Sequence, residues 1–102
     1  MDDKDLYAGL IRLHILHHAA EGPVYGGWVM EELRRHGYEL SPGTLYPMLH
    51  GLERKGYLRS WREREGKRMR RFYVITPTGK SAFRAAKGKV KELFGELFEN
   101  PL

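Results

Sequence analysis

The fold is decided by residues 41–79, which read SPGTLYPMLHGLERKGYLRSWREREGKRMRRFYVITPTG. A serine followed by a proline opens this stretch, and that pair suits the cap and the first position of a helix. Apolar residues then recur at helical spacing until Gly56. Two runs rich in aromatic and β-branched residues follow, separated by a Glu-Gly-Lys turn signal. The stretch therefore predicts a helix followed directly by a β-hairpin.

The predicted helix contains a second proline, Pro47, whose ring presses on the carbonyl group four residues earlier. That carbonyl group belongs to Gly43, whose flexibility could absorb the strain. Alternatively, the regular helix begins nearer Thr44, which puts Pro47 in the first turn. The sequence leaves both possibilities open. The inward face of this helix is predicted to consist of Leu45, Met48, Leu49 and Leu52.

Three further helices surround this stretch. Residues 3–20 carry apolar side chains at helical spacing, and Gly22-Pro23 ends that helix. A second helix covers about 26–36, and a last one covers about 80–98. The order helix, helix, helix, hairpin, helix predicts a mainly α winged helix-turn-helix with a two-stranded β-hairpin.

The same order suggests two parts within one compact unit. We expect residues 1–76 to form a winged helix-turn-helix DNA-binding domain. We expect residues 77–102 to form a C-terminal dimerisation helix that packs on the first helix.

Composition narrows the class of protein. The chain has 102 residues, enough for one domain, and its net charge of +5 favours a polyanionic partner. It contains no cysteine, which excludes disulfides and thiolate metal sites. No apolar run approaches the ~20 residues that span a bilayer, and the acidic start does not resemble a signal peptide. We expect a cytoplasmic protein without membrane partners.

Four segments resemble the PadR family of transcriptional regulators. They are Tyr25-Gly26, residues 41–49 (SPGTLYPML), residues 52–58 (LERKGYL) and residues 71–79 (RFYVITPTG). The chain departs from the family pattern at Gly27-Trp28, where the family usually has Tyr-Glu. Its short C-terminal part resembles the subgroup in which a single last helix dimerises. The resemblance implies a bacterial regulator whose effector can bind between subunits.

The outward face of the third helix is the predicted reading surface, because the amino end of this element enters the major groove in helix-turn-helix proteins. The alternative is a merely solvated face in which Gly43 and Pro47 serve backbone geometry. The candidate DNA-binding residues of this helix are Gly43, Thr44, Tyr46, Pro47, His50 and Arg54. The resemblance adds Tyr25, Gly26 and Ser41.

The hairpin is the predicted wing, and it is dense in cations on both sides of Gly66. Such side chains can neutralise phosphates or enter a narrow minor groove. The alternative is a charged hairpin that only confers solubility. The candidate DNA-binding residues of the wing are Arg64, Lys67, Arg68, Arg70 and Arg71, and the resemblance adds Tyr73.

The last helix carries apolar residues in steps of three and four, the spacing of a coiled-coil seam. Left in water, this stripe would be an apolar patch that monomers seldom tolerate, although part of it could pack on the first helix. We expect a homodimer on a palindromic operator. The DNA-contacting helices of its two protomers, which we call the reading heads, should lie about 34 Å apart. The candidate dimerisation residues are Leu6, Leu10, Leu13, Phe83, Ala86, Val90, Leu93, Phe94, Leu97 and Phe98.

Three histidines of the first helix, His14, His17 and His18, lie at spacings of three and four. His14 and His18 could share a metal ion on one face, since neutral imidazole suits Zn, Ni or Cu. A dedicated site needs a third ligand, and none follows at ligand spacing. We therefore predict no metal and no cofactor, and keep a histidine-based metal-responsive regulator as an alternative.

These observations favour a sequence-specific regulator of transcription. The resemblance implies a repressor that a small hydrophobic or aromatic effector releases from double-stranded DNA. A winged-helix module that binds an acidic protein surface is the alternative from another class. An enzyme is rejected, because the sequence has no Gly-rich phosphate loop, nucleophile set or carboxylate pair in a plausible cleft.

Overall fold

The computed structural model describes residues 3–99, and residues 1–2 and 100–102 of the two predicted parts lie outside them. The element order confirms the predicted winged helix-turn-helix. The elements are α1 (Lys4–Glu21), β1 (Val24–Tyr25), α2 (Gly26–Arg35), α3 (Pro42–Arg54), β2 (Leu58–Glu65), β3 (Arg68–Ile75) and α4 (Pro77–Phe94), followed by a π-helical turn (Gly95–Glu99).

The sheet has three antiparallel strands in the order β1-β3-β2, not the two that the sequence predicts. The additional strand, β1, pairs Val24 with Tyr73 and Tyr25 with Phe72. A strand of two residues shows no alternation of polar and apolar side chains, so its sequence carries no strand signal. This strand ties the segment between α1 and α2 to the hairpin.

The hairpin turn has two residues, Gly66 and Lys67, because Glu65 pairs with Arg68. Gly66 has a φ of 65°, and no residue other than glycine has a positive φ among residues 3–99. A positive φ at the first central position alone is the pattern of a type II′ turn, which matches the twist of the strands. Glycine at this position therefore holds the register of the wing.

The core lies between α1, α2, α3 and the inner face of the sheet. All four residues predicted for the inward face of α3 are buried. On the first helix, Leu6 and Leu10 are exposed and do not reach this core, whereas Leu16 does. The buried hydrophobic residues are Ile11, Ile15, Leu16, Ala19, Val24, Val29, Leu33, Leu45, Met48, Leu49, Leu52, Leu58, Tyr73 and Ile75.

The helix α3 runs through Pro47 without interruption, since it begins at Pro42. Of the two possibilities that the sequence left open, the structure adopts the first. Pro47 then lies beyond the first turn, and its ring meets the carbonyl group of Gly43. Gly43 is exposed, so water can reach the carbonyl group that Pro47 leaves without its helical donor.

The start of α4 is locked to the base of the hairpin. The hydroxyl group of Thr76 donates to the carbonyl oxygen of Gly56 and accepts from the backbone N–H of Gly79 at 2.9 Å. The backbone of Gly79 lies so close to Tyr57 that a Cβ atom would stand 2.9 Å from its carbonyl carbon. Glycine is therefore required where the wing passes into α4.

The last helix begins at Pro77, earlier than predicted, and its regular α-helical part ends at Phe94. Residues Gly95–Glu99 form the π-helical turn, which carries the last two apolar residues of the predicted seam. Among residues 3–99, no helix is both long and apolar enough to cross a membrane.

We expect Gly79→Ala to lower the free energy of unfolding by about 1–3 kcal/mol, because its methyl group meets backbone atoms that cannot move aside. Urea unfolding at fixed protein concentration measures this change. The matched control is Gly88→Ala, on the solvent side of α4 with open space around it. That variant should gain about 0.5–1 kcal/mol from helix propensity. Equal effects of the two substitutions would contradict the tight contact at Gly79.

Candidate nucleic-acid interface

The surface predicted to contact DNA is the outward face of α3. Gly43, Pro47, His50 and Arg54 are all exposed, and they follow one another in steps of four, three and four. This line lies opposite the buried leucines, as the helical period requires. Tyr46 flanks it and is partly exposed, with its ring centre 6.4 Å from that of His50. The helix therefore presents a surface of aromatic, imidazole and guanidinium groups, which we call the recognition face.

The ring of Tyr46 is seated against Gly26, the first residue of α2. A Cβ atom at Gly26 would stand 2.6 Å from Cζ of Tyr46, so any larger residue would displace this ring. Gly26 is buried beneath the ring and offers no side chain to a partner. The prediction that Gly26 itself contacts DNA is therefore wrong, because the ring of Tyr46 covers it. Its role in the structure is to orient Tyr46.

The amino end of α3 is held by polar contacts of Thr44. The Oγ atoms of Thr44 and Ser41 lie 3.3 Å apart, and Nζ of Lys4 donates to Oγ1 of Thr44 at 3.3 Å. Lys4 is a cation that the sequence analysis did not single out. It brings a positive charge from α1 to a helix amino terminus, where the dipole of α3 already favours an anion.

The two faces of the wing differ in charge. Side chains alternate along a strand, and residues paired across the ladder share a face. In the hairpin register, Arg62 pairs with Arg71 and Arg64 with Met69, so these three arginines lie on one face. The acidic residues Glu63 and Glu65 point to the other. We call Arg62, Arg64 and Arg71 the cationic wing face.

Arg62 was not among the candidates predicted from the sequence. The alternation in Arg62-Glu63-Arg64-Glu65 nevertheless indicates that Arg62 and Arg64 share one face of the strand. The register also separates Arg68 and Arg70 from the cationic wing face. Nε of Arg70 donates to Oε1 of Glu65 at 2.7 Å, and its guanidinium carbon lies 4.1 Å from the ring centre of Tyr25. Arg70 and Tyr25 are thus engaged with each other. Lys67 is exposed at the turn.

A hydrogen-bonded chain connects the wing to the end of α3. Nη1 of Arg71 donates to Oγ of Ser60 at 2.9 Å, and Ser60 donates to Oε2 of Glu53 at 2.7 Å. Ser60 shares its sheet face with Tyr73, to which it is paired. The cationic wing face is therefore the outward continuation of the face on which α3 packs.

Tyr73 cannot contact DNA in this structure, and its assignment to the DNA-binding set is wrong. Its side chain is 0% exposed and belongs to the core beneath α3. Burial raises the pKa of its hydroxyl group, with Glu53 adding to the effect and Arg71 opposing it. In the part of the chain that the structure describes, this hydroxyl group is buried without a hydrogen-bond partner.

The candidate dimerisation residues form an apolar surface on α1 and α4. Leu10, Leu13, Phe83, Val90 and Phe94 line a groove between the two helices. Beyond it, Leu97 and Phe98 are 62% and 69% exposed. We call this surface the apolar face. Its remaining members are Leu6 and Leu93, which are exposed, and Ala86, which is half-buried.

Comparison with known proteins identifies the family. The model of the Transcriptional regulator PadR-like family matches residues 15–85. The chain belongs to the PadR-like family of transcriptional regulators. This membership also confirms that it is not an enzyme, because the family consists of regulators.

Relatives of this PadR-like regulator cover most of its length. It is 46% identical over 94 residues to the transcriptional regulator Rv3488 of Mycobacterium tuberculosis, covering 92% of this chain and 88% of that one. A transcriptional regulator from Clostridium thermocellum has a TM-score of 0.78 at 30% identity, covering 93% and 95% of the two chains. Bacillus subtilis PadR, solved with operator DNA, shares the fold with a TM-score of 0.67 at 19% identity, covering 74% of this chain and 45% of that one.

We expect Tyr73→Phe to leave the free energy of unfolding unchanged or to raise it by up to about 1 kcal/mol. The substitution removes a buried hydroxyl group that makes no hydrogen bond, so the cost of its desolvation disappears. Urea unfolding of the two proteins measures the difference. A loss of about 1 kcal/mol or more would mean that the hydroxyl group has a partner.

Proposed function

We propose that this PadR-like regulator is a dimeric repressor that binds a palindromic operator through the recognition face and the cationic wing face. The observation that carries the proposal is the segregation of charge on the wing. Arg62, Arg64 and Arg71 continue the sheet face on which α3 packs, so these cations and the recognition face lie on the same side of the protomer. A duplex that meets one surface is then within reach of the other.

The two surfaces divide the work of recognition. The donors of Thr44, Tyr46, His50 and Arg54 are positioned for the major groove, where base edges present a readable pattern. The wing arginines neutralise phosphates or enter the neighbouring minor groove. Gly43 and Pro47 have no polar side-chain atom, so they permit close approach of the α3 backbone. The operator complex of Bacillus subtilis PadR supports this use of the fold.

The apolar face supports the dimer. A protomer that exposed Leu93, Leu97 and Phe98 would carry an apolar patch on a helix whose only buried residue is Gly79. A second copy of the same helix can cover this stripe by two-fold symmetry. We accordingly assign α4 to dimerisation and the preceding residues to DNA binding.

The groove between α1 and α4 suits an effector that releases the dimer from DNA. Its lining is almost entirely apolar, which suits a hydrophobic or aromatic molecule bound between two protomers. Such a molecule changes the packing of the apolar faces and hence the spacing of the reading heads. A repressor is the simplest consequence, since a dimer seated on an operator within a promoter blocks access to it.

The decisive experiment is a salt titration of binding to the regulator's own upstream promoter fragment, with a scrambled duplex as control. We expect a preference of about 10³ or more for the promoter fragment at physiological salt. We also expect Arg64→Ala to reduce the slope of log affinity against log salt by about 1.8, because a dimer carries the substitution twice and each phosphate contact contributes ~0.9.

The matched control for this experiment is Arg68→Ala, which removes the same charge from the opposite face of the wing. It should change the slope by less than half as much as Arg64→Ala. Equal effects would contradict the assignment of the cationic wing face. Equal, weak binding to both duplexes would instead favour the protein-interaction module, for which binding of acidic proteins is the next measurement.

We expect Leu97→Glu to weaken dimerisation by about tenfold or more, because the charge would be buried in both copies of the interface. Sedimentation equilibrium over a range of concentrations measures the dissociation constant. Ala85→Glu is the control, since it adds the same side chain on the exposed opposite side of α4. Unchanged association of Leu97→Glu would exclude this face from the interface.

A further inference from the structure

A cluster of three histidines joins α1 to the end of α2. His14 and His18 lie one turn apart on α1, and His36 is the residue that caps α2. Their ring nitrogens lie within 4.8 Å of one another. The ring centres of His14 and His36 are only 4.8 Å apart. The third ligand that the sequence lacked therefore comes from another helix, so the reason for predicting no metal site is wrong.

A carboxylate completes the cluster. Oε2 of Glu32 lies 3.3 Å from Nε2 of His36 and 3.5 Å from Nε2 of His18. The side chain of Glu32 is only 17% exposed, so its charge is poorly screened. Zinc bonds of ~2.0–2.1 Å at tetrahedral angles put neighbouring ligand atoms about 3.3 Å apart. The two distances from Glu32 to the histidines are thus close to those between neighbouring ligand atoms of a zinc site.

The orientation of His18 also suits a ligand. Its side chain is 12% exposed, and Nε2 is buried without a hydrogen-bond partner among residues 3–99. On the other side of the ring, Nδ1 lies 3.5 Å from Oε1 of Glu21. With its proton on Nδ1, toward Glu21, the ring would present the lone pair of Nε2 to a metal ion, as in many zinc proteins.

The remaining histidine of the cluster, His14, is half-buried, and its ring is stacked on that of His36. A neutral imidazole has the free lone pair that a metal ion requires. The ring of Tyr38, at 5.4 Å from that of His14, covers this side of the cluster.

We propose that His14, His18, His36 and Glu32 form a binding site for one divalent ion of the zinc class in each protomer. Imidazole nitrogens with one carboxylate oxygen are a ligand set for Zn²⁺, and imidazole also suits Ni²⁺ and Cu²⁺. The site lies apart from the recognition face and the cationic wing face.

The position of the site couples metal binding to the reading head. It joins α1, which carries part of the apolar face, to α2, from which the chain enters α3. A metal ion shared by the two helices fixes the orientation of α3 relative to the apolar face. This consequence, unlike the site itself, rests on the proposed binding to an operator.

The test begins without DNA, on untagged protein freed of metal with a chelator. Isothermal titration with Zn²⁺ should give one ion per chain, and Co²⁺ should give the visible absorption of a tetrahedral complex. We expect His36→Gln and His14→Gln to weaken Zn²⁺ binding by about 100-fold and to abolish the rise in melting temperature that Zn²⁺ causes in the parent protein. Circular dichroism checks that both variants fold.

The matched control is His17→Gln, which removes an exposed histidine next to the cluster and should leave Zn²⁺ affinity unchanged. His17, His18 and Glu21 form a second group of potential ligands. Loss of binding in His17→Gln with normal binding in His36→Gln would move the site there and overturn the proposal. Binding of Zn²⁺ at well below one ion per chain would also overturn it.

The coupling is tested separately by measuring operator affinity with and without Zn²⁺. We expect the affinity of the parent protein to change by about fivefold or more, and that of His36→Gln to stay constant. An unchanged affinity in the parent protein would overturn the coupling while the site stands. Failure to bind the operator with or without Zn²⁺ would overturn the proposed function. The metal titration would still stand, because it does not depend on DNA binding.

Discussion

The packing of α3 against one face of the hairpin is the constraint on which the functional surfaces depend. The leucines of α3 share one buried cluster with Leu58, Tyr73 and Ile75 of the sheet. Because side chains alternate along a strand, this contact also determines which wing residues point toward the side of α3. This contact places Arg62, Arg64 and Arg71 on that side, and a shift of β2 by one residue would replace Arg62 and Arg64 with Glu63 and Glu65.

Sequence periodicity was a reliable guide where an element has one buried face. The four inward residues of α3 and the two long strands lie where the spacing predicted them. It was incomplete on α1, which has two apolar stripes. Ile11, Ile15 and Leu16 enter the core, whereas Leu10 and Leu13 line the groove against α4. Periodicity identifies such stripes but cannot rank them, because burial depends on what the rest of the chain brings to each.

The candidate sites were predictable in composition but not in arrangement. The cations of the wing were evident in the sequence, whereas the pairing of Arg70 with Glu65 and the isolation of Arg62 from acidic neighbours follow from the strand register. Tyr73 was misassigned because a resemblance to a motif does not distinguish a residue that contacts a partner from one that supports the contact. The histidine cluster was incomplete in the sequence, since His36 reaches it only through the crossing of α1 and α2.

The helix α1 is the element through which these surfaces communicate. Leu10 and Leu13 line the groove against α4, the isoleucines of α1 enter the core, and Lys4 at its start bonds Thr44 at the amino end of α3. Close-packed interiors move as units, so a shift of α1 against α4 has to be accompanied by a shift of the elements that pack on its other sides. The proposed effector in the groove and the proposed ion at the histidine cluster would both act on this one helix. In the proposed dimer, both would therefore reach the operator through the same displacement of α3 relative to the apolar face.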